Sequence, residues 1–319
     1  MPTQLDWYLQ LNLKTRQLRL LVALDDFGSL KKVAEASHVT LPAVSKGLAE
    51  LEKGLGLELF TRTPHGVRPT IYGECLIRYA RGMLADVQHV RDELMALGSG
   101  SGGKVNVGVY HASSSLLMPH ALALLKQRSP ATNARVTEST SPVLLPQLWE
   151  GKLDLVVGRL PAVRSSSGFE ATPLVEEQLI VVTSPNHPLA RQERVQWPEL
   201  KKYPWVLPPL ASSLREPIER LLAQHDIELE KNYVETMSVD ITRAYLELSN
   251  AIAIVANAAP HDALQPLAVL PLALPRMLLR PAGVLWNRNR PLSPAAELMI
   301  ECLQEAATAM RERETAAFG

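Results

Sequence analysis

Apolar residues recur at Leu76, Ala80, Met83, Val87, Val90, Leu94 and Leu97, in alternating steps of four and three, and the chain then passes straight into GSGSGG, Gly98–Gly103. A four-three repeat held over about three heptads is a helix with one continuous apolar seam. A Gly-Ser segment has no apolar side chains with which to cover that seam, and it behaves as a flexible linker. The seam therefore points to a second copy of the chain, and residues 73–97 read as a dimerising helix between two dissimilar halves. GSGSGG also matches G-x-G-x-x-G, but it follows a helix and precedes the alternating KVNVGVY, the reverse of a dinucleotide fingerprint, so 98–103 reads as a linker.

The first half is helical in pattern. Leu13, Leu20, Leu21, Leu24 and Phe27 share one helical face. Ser29 is placed to cap a short helix with Leu30, Val33 and Ala34 inward, and Thr40 is placed to cap another. Pro42 falls in the first turn of that helix, where no intrahelical N–H is lost, so it starts the helix without breaking it. Val44, Leu48, Leu51 and Leu55 form its buried face and leave Leu41, Pro42, Ser45, Lys46 and Ala49 pointing elsewhere. Two short helices joined by SHVT have helix-turn-helix spacing. The following GLELFTRTPHGVRPTIYG has the composition of a hairpin carrying Arg62, His65 and Arg68 at its tip, a basic wing.

Beyond the linker, strand-like runs (VNVGVY, ARVTES, LDLVVG, LIVVTS, PWVLP, YVETM, AIAIVA, GVLW) alternate with helical ones, which argues an α/β domain with largely parallel strands. Asp154 in GKLDLVVG reads as a structural carboxylate bonding backbone at a strand start. At 319 residues the chain exceeds one comfortable core. Lys plus Arg and Asp plus Glu are both 33, so net charge selects neither nucleic acid nor membrane; segment 14–70 carries nine basic and six acidic residues, a modest surplus.

Cys75 and Cys302 are too few for a disulfide framework or a cysteine zinc site. No leader-like N-terminus and no 18-residue apolar run occur, which leads us to expect a cytoplasmic protein without a membrane partner. H-E-x-x-H, G-x-S-x-G and P-loop motifs are absent, so no catalytic residue, metal or cofactor is expected.

The stretch GSLKKVAEASHVTLPAVSKGLAELEKGLGLELFTRTPHGVRPTIYGE, with LWEGKLDLVVGRL, SPNHPLA, PWVLPP, SSLREPIERLL, NAIAIVAN and PLSPAAELMIECL further on, resembles the LysR-type transcriptional regulators of bacteria over nearly the whole chain after about residue 13. The pieces look closest to the branch that includes regulators of sugar uptake and of aromatic-acid breakdown. The resemblance implies an N-terminal all-α winged helix-turn-helix (13–72) after an extension (1–12) with no assigned role. It further implies the dimerising linker helix and a C-terminal α/β two-lobed, periplasmic-binding-protein-like (type II) domain over 104–319. Lobe I is expected at about 104–180 and 284–319, and lobe II at about 181–283. The implied partners are a double-stranded DNA operator, a small-molecule effector, further copies in a homodimer or homotetramer, and RNA polymerase. Alternatives are a solute-binding module, which the second half alone would fit, and an effector-independent regulator.

On this reading the DNA contacts are Thr40, Leu41, Pro42, Ser45 and Lys46 on the recognition helix and Arg62, His65 and Arg68 on the wing. Leu41 stands where the family most often carries glutamine; glutamine bonds adenine bidentately, whereas leucine offers only apolar contact, for instance with a thymine methyl. Ser37 replaces the usual leucine before the turn. Effector candidates occupy loops after strands, where open α/β sheets hold ligands. They are His111, Ser113 and Ser114; Ser139, Thr140 and Ser141; Arg159, able to fork onto a carboxylate; and, in the second lobe, Thr236, Ser238 and Asn257. A hydroxyl-rich cleft with one guanidinium suits a small carboxylate or a polyol.

Overall fold

The computed structural model describes residues 4–99, 102–110, 117–160, 168–228, 232–257, 267–274 and 279–318, without the side chains of Ser99, Asn257 and 313–318. The chain folds as two compact units, the first centred on residues up to Leu94 and the second on Met95–Leu148 and Leu153–Gly319.

The first unit opens with α1 (Gln4–Leu11), α2 (Thr15–Phe27), α3 (Leu30–Ala36) and α4 (Leu41–Leu55). Ser29 caps α3 by accepting from the Lys32 N–H, and Thr40 caps α4 by accepting from the Ala43 N–H at 3.4 Å. Val44, Leu48, Leu51 and Leu55 of α4 pack with Leu21, Leu24 and Val33 into one core, as the four-three-four spacing requires. A hairpin follows, β1 (Phe60–Thr63) and β2 (Gly66–Pro69), and then α5 (Ile71–Ser99). The hairpin seats on the turn after α2, where the Val67 N–H donates to Gly28 O at 2.9 Å. A Cβ on Gly66 would lie 2.1 Å from Gly28 O, so only glycine permits this approach.

The predicted seam is corrected at its start. Ala80 is fully buried in the core of this first unit and Leu76 packs against it, together with Ile77. The outward stripe begins at Met83 and continues through Val87, Val90, Leu94 and Leu97, all exposed. One helix carries both because its first turns cover the winged domain and the rest extends past it. Arg81 fastens this base, its Nη2 donating to Asp25 Oδ2 (2.7 Å) and to Asp26 Oδ1 at the end of α2. Burial acts to lower the guanidinium's pKa, and the two carboxylates more than offset it, holding it above its ordinary value. Gly98 and Ser99, expected in the linker, are the last residues of α5. Gly102 O accepts from the Thr132 hydroxyl and Gly103 O from the Asn133 N–H, so the end of that segment is bonded to the second unit.

The second unit holds two five-stranded sheets. The first comprises β3 (Lys104–Val109), β4 (Asn133–Glu138), β5 (Leu155–Arg159), β6 (Phe169–Val175) and β12 (Ala282–Asn287), in the order β4-β3-β5-β12-β6. α6 (Leu117–Arg128) and α11 (Pro294–Phe318) cover one face, and α7 (Ser141–Trp149) packs on the other through Leu144 and Leu148. The other sheet comprises β7 (Gln178–Thr183), β8 (Trp205–Leu207), β9 (Tyr233–Glu235), β10 (Ile252–Asn257) and β11 (Ala268–Val269), in the order β11-β7-β10-β8-β9. α8 (Trp197–Leu200) and α9 (Arg215–Gln224) pack on one side and α10 (Val239–Leu248) on the other.

The chain passes from one sheet to the other at 176–177 and 279–281. The strands are mixed where the alternation led us to expect largely parallel ones. β3–β4, β3–β5, β8–β9 and β8–β10 are parallel, but β12 is antiparallel to β5 and β6, and β7 to β10 and β11. The reason is connectivity: β7 and β12 enter their sheets directly from the crossing segments, without the helical return that makes neighbours parallel. Asp154 accepts from the Asn106 backbone N–H at 2.6 Å, tying β5 to β3. No helix among the described residues is long and apolar enough to cross a membrane.

Candidate DNA interface and effector cleft

The exposed start of α4 and the hairpin carry the residues picked out for DNA. Thr40, Leu41, Pro42 and Lys46 are exposed, Leu41 at 48%, and Ser45 is half-buried. Lys46 Nζ lies 3.9 Å from Glu50 Oε1, a loose pair one turn apart that leaves the ammonium in solvent. In the hairpin Arg62 pairs with Val67 and Arg68 with Thr61, so the two arginines project from opposite faces of the ribbon, and His65 sits in its turn. All three are exposed. Sequence reasoning missed Glu52, whose Oε1 accepts from the N–H groups of Leu59 (2.7 Å) and Phe60 (3.1 Å). It locks the hairpin to the last turns of α4. A glutamate in a helix full of charges gives no hint of that role.

Between the two lobes lies a narrow cleft, open to solvent at its mouth. Tyr110, Ser139, Thr140, Ser141 and Arg159 line it from one side; Ser212, Ser213, Leu214 and Met237 are among those that line it from the other. Ser141 begins α7 and Leu214 precedes α9, so the N-terminal ends of two helices reach the cleft, where the positive ends of their dipoles favour an electron-rich group. Tyr110 follows β3 and is buried; burial pushes its pKa up to about 12, with Ser141 opposing the rise, and its Oη has no well-formed hydrogen bond among the described residues.

Arg159 ends β5 and is 7% exposed. Its Nη2 donates to Glu177 Oε2, on the crossing segment between β6 and β7, while its Nε has no hydrogen-bond partner among the described residues. The fork expected to meet a ligand carboxylate is therefore already half engaged by an internal acid.

The other expected effector residues divide. Ser139, Thr140 and Ser141 line the cleft. His111, Ser113 and Ser114 lie outside the described residues. Thr236 and Ser238 flank the cleft residue Met237, but Thr236 Oγ1 accepts from the Ser238 N–H and Ser238 Oγ accepts from the Ile241 N–H, so both act in capping α10. Asn257 ends β10, and its side chain is outside the description. Tyr110, Glu177, Ser212 and Ser213 were missed. Only the paired hydroxyls before α9 left a signal, as a candidate helix start. Among the described residues no cluster of His, Cys, Asp or Glu could hold a metal ion.

A winged helix-turn-helix carried on a long helix, joined to a two-lobed domain with a polar cleft, defines a ligand-responsive DNA-binding regulator. Residues 15–74 match the bacterial regulatory helix-turn-helix protein family, lysR type, and residues 98–308 match the LysR substrate binding domain. The chain belongs to the LysR family of transcriptional regulators. It is 32% identical over 310 residues to the HTH-type transcriptional regulator GbpR of Azospirillum brasilense, covering 96% of this chain and 90% of that protein. It is 30% identical over 297 residues to PcaQ of Agrobacterium fabrum, covering 92% and 95%. Among solved structures, a full-length OxyR variant from Pseudomonas aeruginosa shares the fold with a TM-score of 0.64 at 22% identity, covering 92% of this chain and 95% of that one. Full-length CbnR in complex with its target DNA has a TM-score of 0.63 at 18% identity, covering 92% and 100%.

Proposed function

We propose that this regulator binds a two-half-site operator as a homodimer that pairs into a tetramer, and that a small oxygen-rich effector in the lobe cleft sets the arrangement of its winged domains. The observation that carries the effector reading is the convergence on one cleft of two helix N-termini, the Ser139–Ser141 hydroxyls, and Tyr110 and Arg159, whose buried Oη and Nε have no well-formed hydrogen bond among the described residues. Because Glu177 neutralises Arg159, a sugar, polyol or monocarboxylate suits this cleft better than a multiply charged acid. The effector acts to the extent that it prefers one lobe arrangement over another. The proposal includes a cytoplasmic location, RNA polymerase as partner at the promoter, and no chemistry of the protein's own.

Thermal unfolding of the full chain with sugars, polyols, aromatic monocarboxylates and dicarboxylates tests the cleft. A ligand at a hundred times its dissociation constant adds about 2.7 kcal/mol, a shift of several degrees. Stabilisation by dicarboxylates alone would contradict the neutralised-arginine reading.

On the DNA side, Ser45→Ala with Lys46→Ala is expected to weaken binding to a duplex selected by the full-length chain from a random pool by about tenfold, and to flatten the salt dependence by about one unit of slope for the lost phosphate contact. The support is that Lys46 is exposed and Ser45 half-buried near the start of α4, off its fully buried face. Undiminished affinity with the dimer intact would move the DNA contacts elsewhere.

A further inference from the structure

We infer that the N-terminal extension is part of the DNA-reading apparatus: α1 is a brace that sets the tilt of α4 through Gln4 and Tyr8. The last carbonyls of a helix have no intrahelical partners. In α4, Glu52 O is taken by the N–H groups of Gly56 and Leu57, and Lys53 O and Gly54 O are among the carbonyls left. Gln4 Nε2 donates to both, at 3.0 and 3.3 Å. One turn on, the Tyr8 ring lies against α4 at Gly54, where a Cβ would sit 2.0 Å from Tyr8 Cε2. Tyr8 Oη accepts from Gln17 Nε2 at 2.7 Å, and Gln17 Oε1 accepts from the Lys14 N–H at 2.8 Å, at the start of α2. Tyr8 thus joins the beginning of α2 to the end of α4.

The same end of α4 carries Glu52, which holds the hairpin. The last turns of α4 are fixed by α1 and, through Glu52, by the wing. Leu41 lies about 20 Å along the axis from Gly54 at 1.5 Å per residue, so a tilt of about 5° at the braced end moves the base-reading end by about 2 Å. Hydrogen bonds to base edges tolerate only tenths of that. Tyr8 is a positioning residue: it acts on DNA through α4, and Gly54 is the position that receives it.

This rests on α4 being the helix that meets DNA, and the test separates the two. Full-length Tyr8→Ala, Tyr8→Phe, Gly54→Ala and the Tyr8→Ala/Gly54→Ala double variant are titrated against the duplex selected from a random pool and against an unselected duplex, with circular dichroism recording the folded fraction at the assay temperature. Tyr8→Ala is expected to lose about tenfold on the selected duplex and little on the unselected one, because misplaced base contacts leave the attraction to phosphates intact.

Tyr8→Phe keeps the ring on Gly54 and retains most of the affinity. Gly54→Ala is costly alone and adds nothing in the Tyr8→Ala background. Equal losses on both duplexes, losses that track unfolding, or a Gly54→Ala cost independent of Tyr8 would overturn the inference. If Ser45→Ala/Lys46→Ala also leaves the selected duplex bound as tightly as before, the recognition-helix reading falls with it; if only that variant weakens binding, the brace alone is refuted.

Discussion

Arg159→Ala is expected to destabilise the effector-binding domain by about 3–5 kcal/mol, because it removes one member of the buried ion pair with Glu177. The two side chains are 6% and 1% exposed, so solvent cannot take over the arginine's role. In a domain of this size that loss lowers the melting temperature by about 10 °C, readable by calorimetry on the full chain. Arg159→Met combined with Glu177→Gln removes both charges at nearly constant volume and should recover most of the stability, since a buried ion pair contributes little net stability over well-packed neutral groups.

The double variant also lacks the unpartnered Nε. It should therefore unfold near the wild-type temperature yet respond weakly to whichever effector stabilises the wild type. A full response would confine Arg159 to an architectural role at the crossing between the lobes. Undiminished stability of Arg159→Ala would mean that Glu177 finds another cation or a proton.

Leu94→Lys is expected to have the larger effect on DNA. Leu94 is 63% exposed on a helix whose outward stripe, Met83 to Leu97, has no cover within its own chain among the described residues. A lysine there sets two ammonium groups together in the seam of a dimer. Once the dimer separates, the second half-site is no longer held at high effective concentration, and affinity for a two-half-site duplex falls by about 10²-fold or more. Sedimentation velocity gives the dimer fraction and fluorescence anisotropy the affinity. A dimer of unchanged stability would show that the stripe is covered in some other way.

The two variants separate the halves of the molecule. Arg159→Ala should leave binding to the unliganded operator close to normal at low temperature. Leu94→Lys should leave the effector-induced thermal shift in place. Crossed outcomes would show that dimer and lobes cannot be treated independently.

The contrast between α4 and α5 shows how far pattern reading reaches. Val44, Leu48, Leu51 and Leu55 could be assigned to a core and Thr40 to a cap because both depend on local spacing, which a helix enforces whatever surrounds it. Leu76, Ala80 and Met83 share the same spacing, yet Ala80 is in the winged domain's core and Met83 faces out. Periodicity names the face of a helix but not what lies against it, and along α5 the neighbour changes while the period does not.

The strand runs were likewise legible from alternation, but their directions were not. β7 and β12 run antiparallel because of where the chain crosses between lobes, which no single strand records. The N-terminal extension went unread for the same reason, since Tyr8 matters through Gly54, 46 positions away.

By itself, then, the sequence determined the winged helix-turn-helix, the helical connector, the two-lobed α/β domain and the family, because these rest on local periodicity, capping and dense motifs. Tertiary structure alone decided that Arg159 is held by Glu177, that Tyr110 and Ser212 face the same cleft as Ser139–Ser141, and that α1 braces α4. Those facts depend on atoms brought together from distant parts of the chain, and a buried charge or a bare glycine surface acquires its meaning only from the partner that folding places against it.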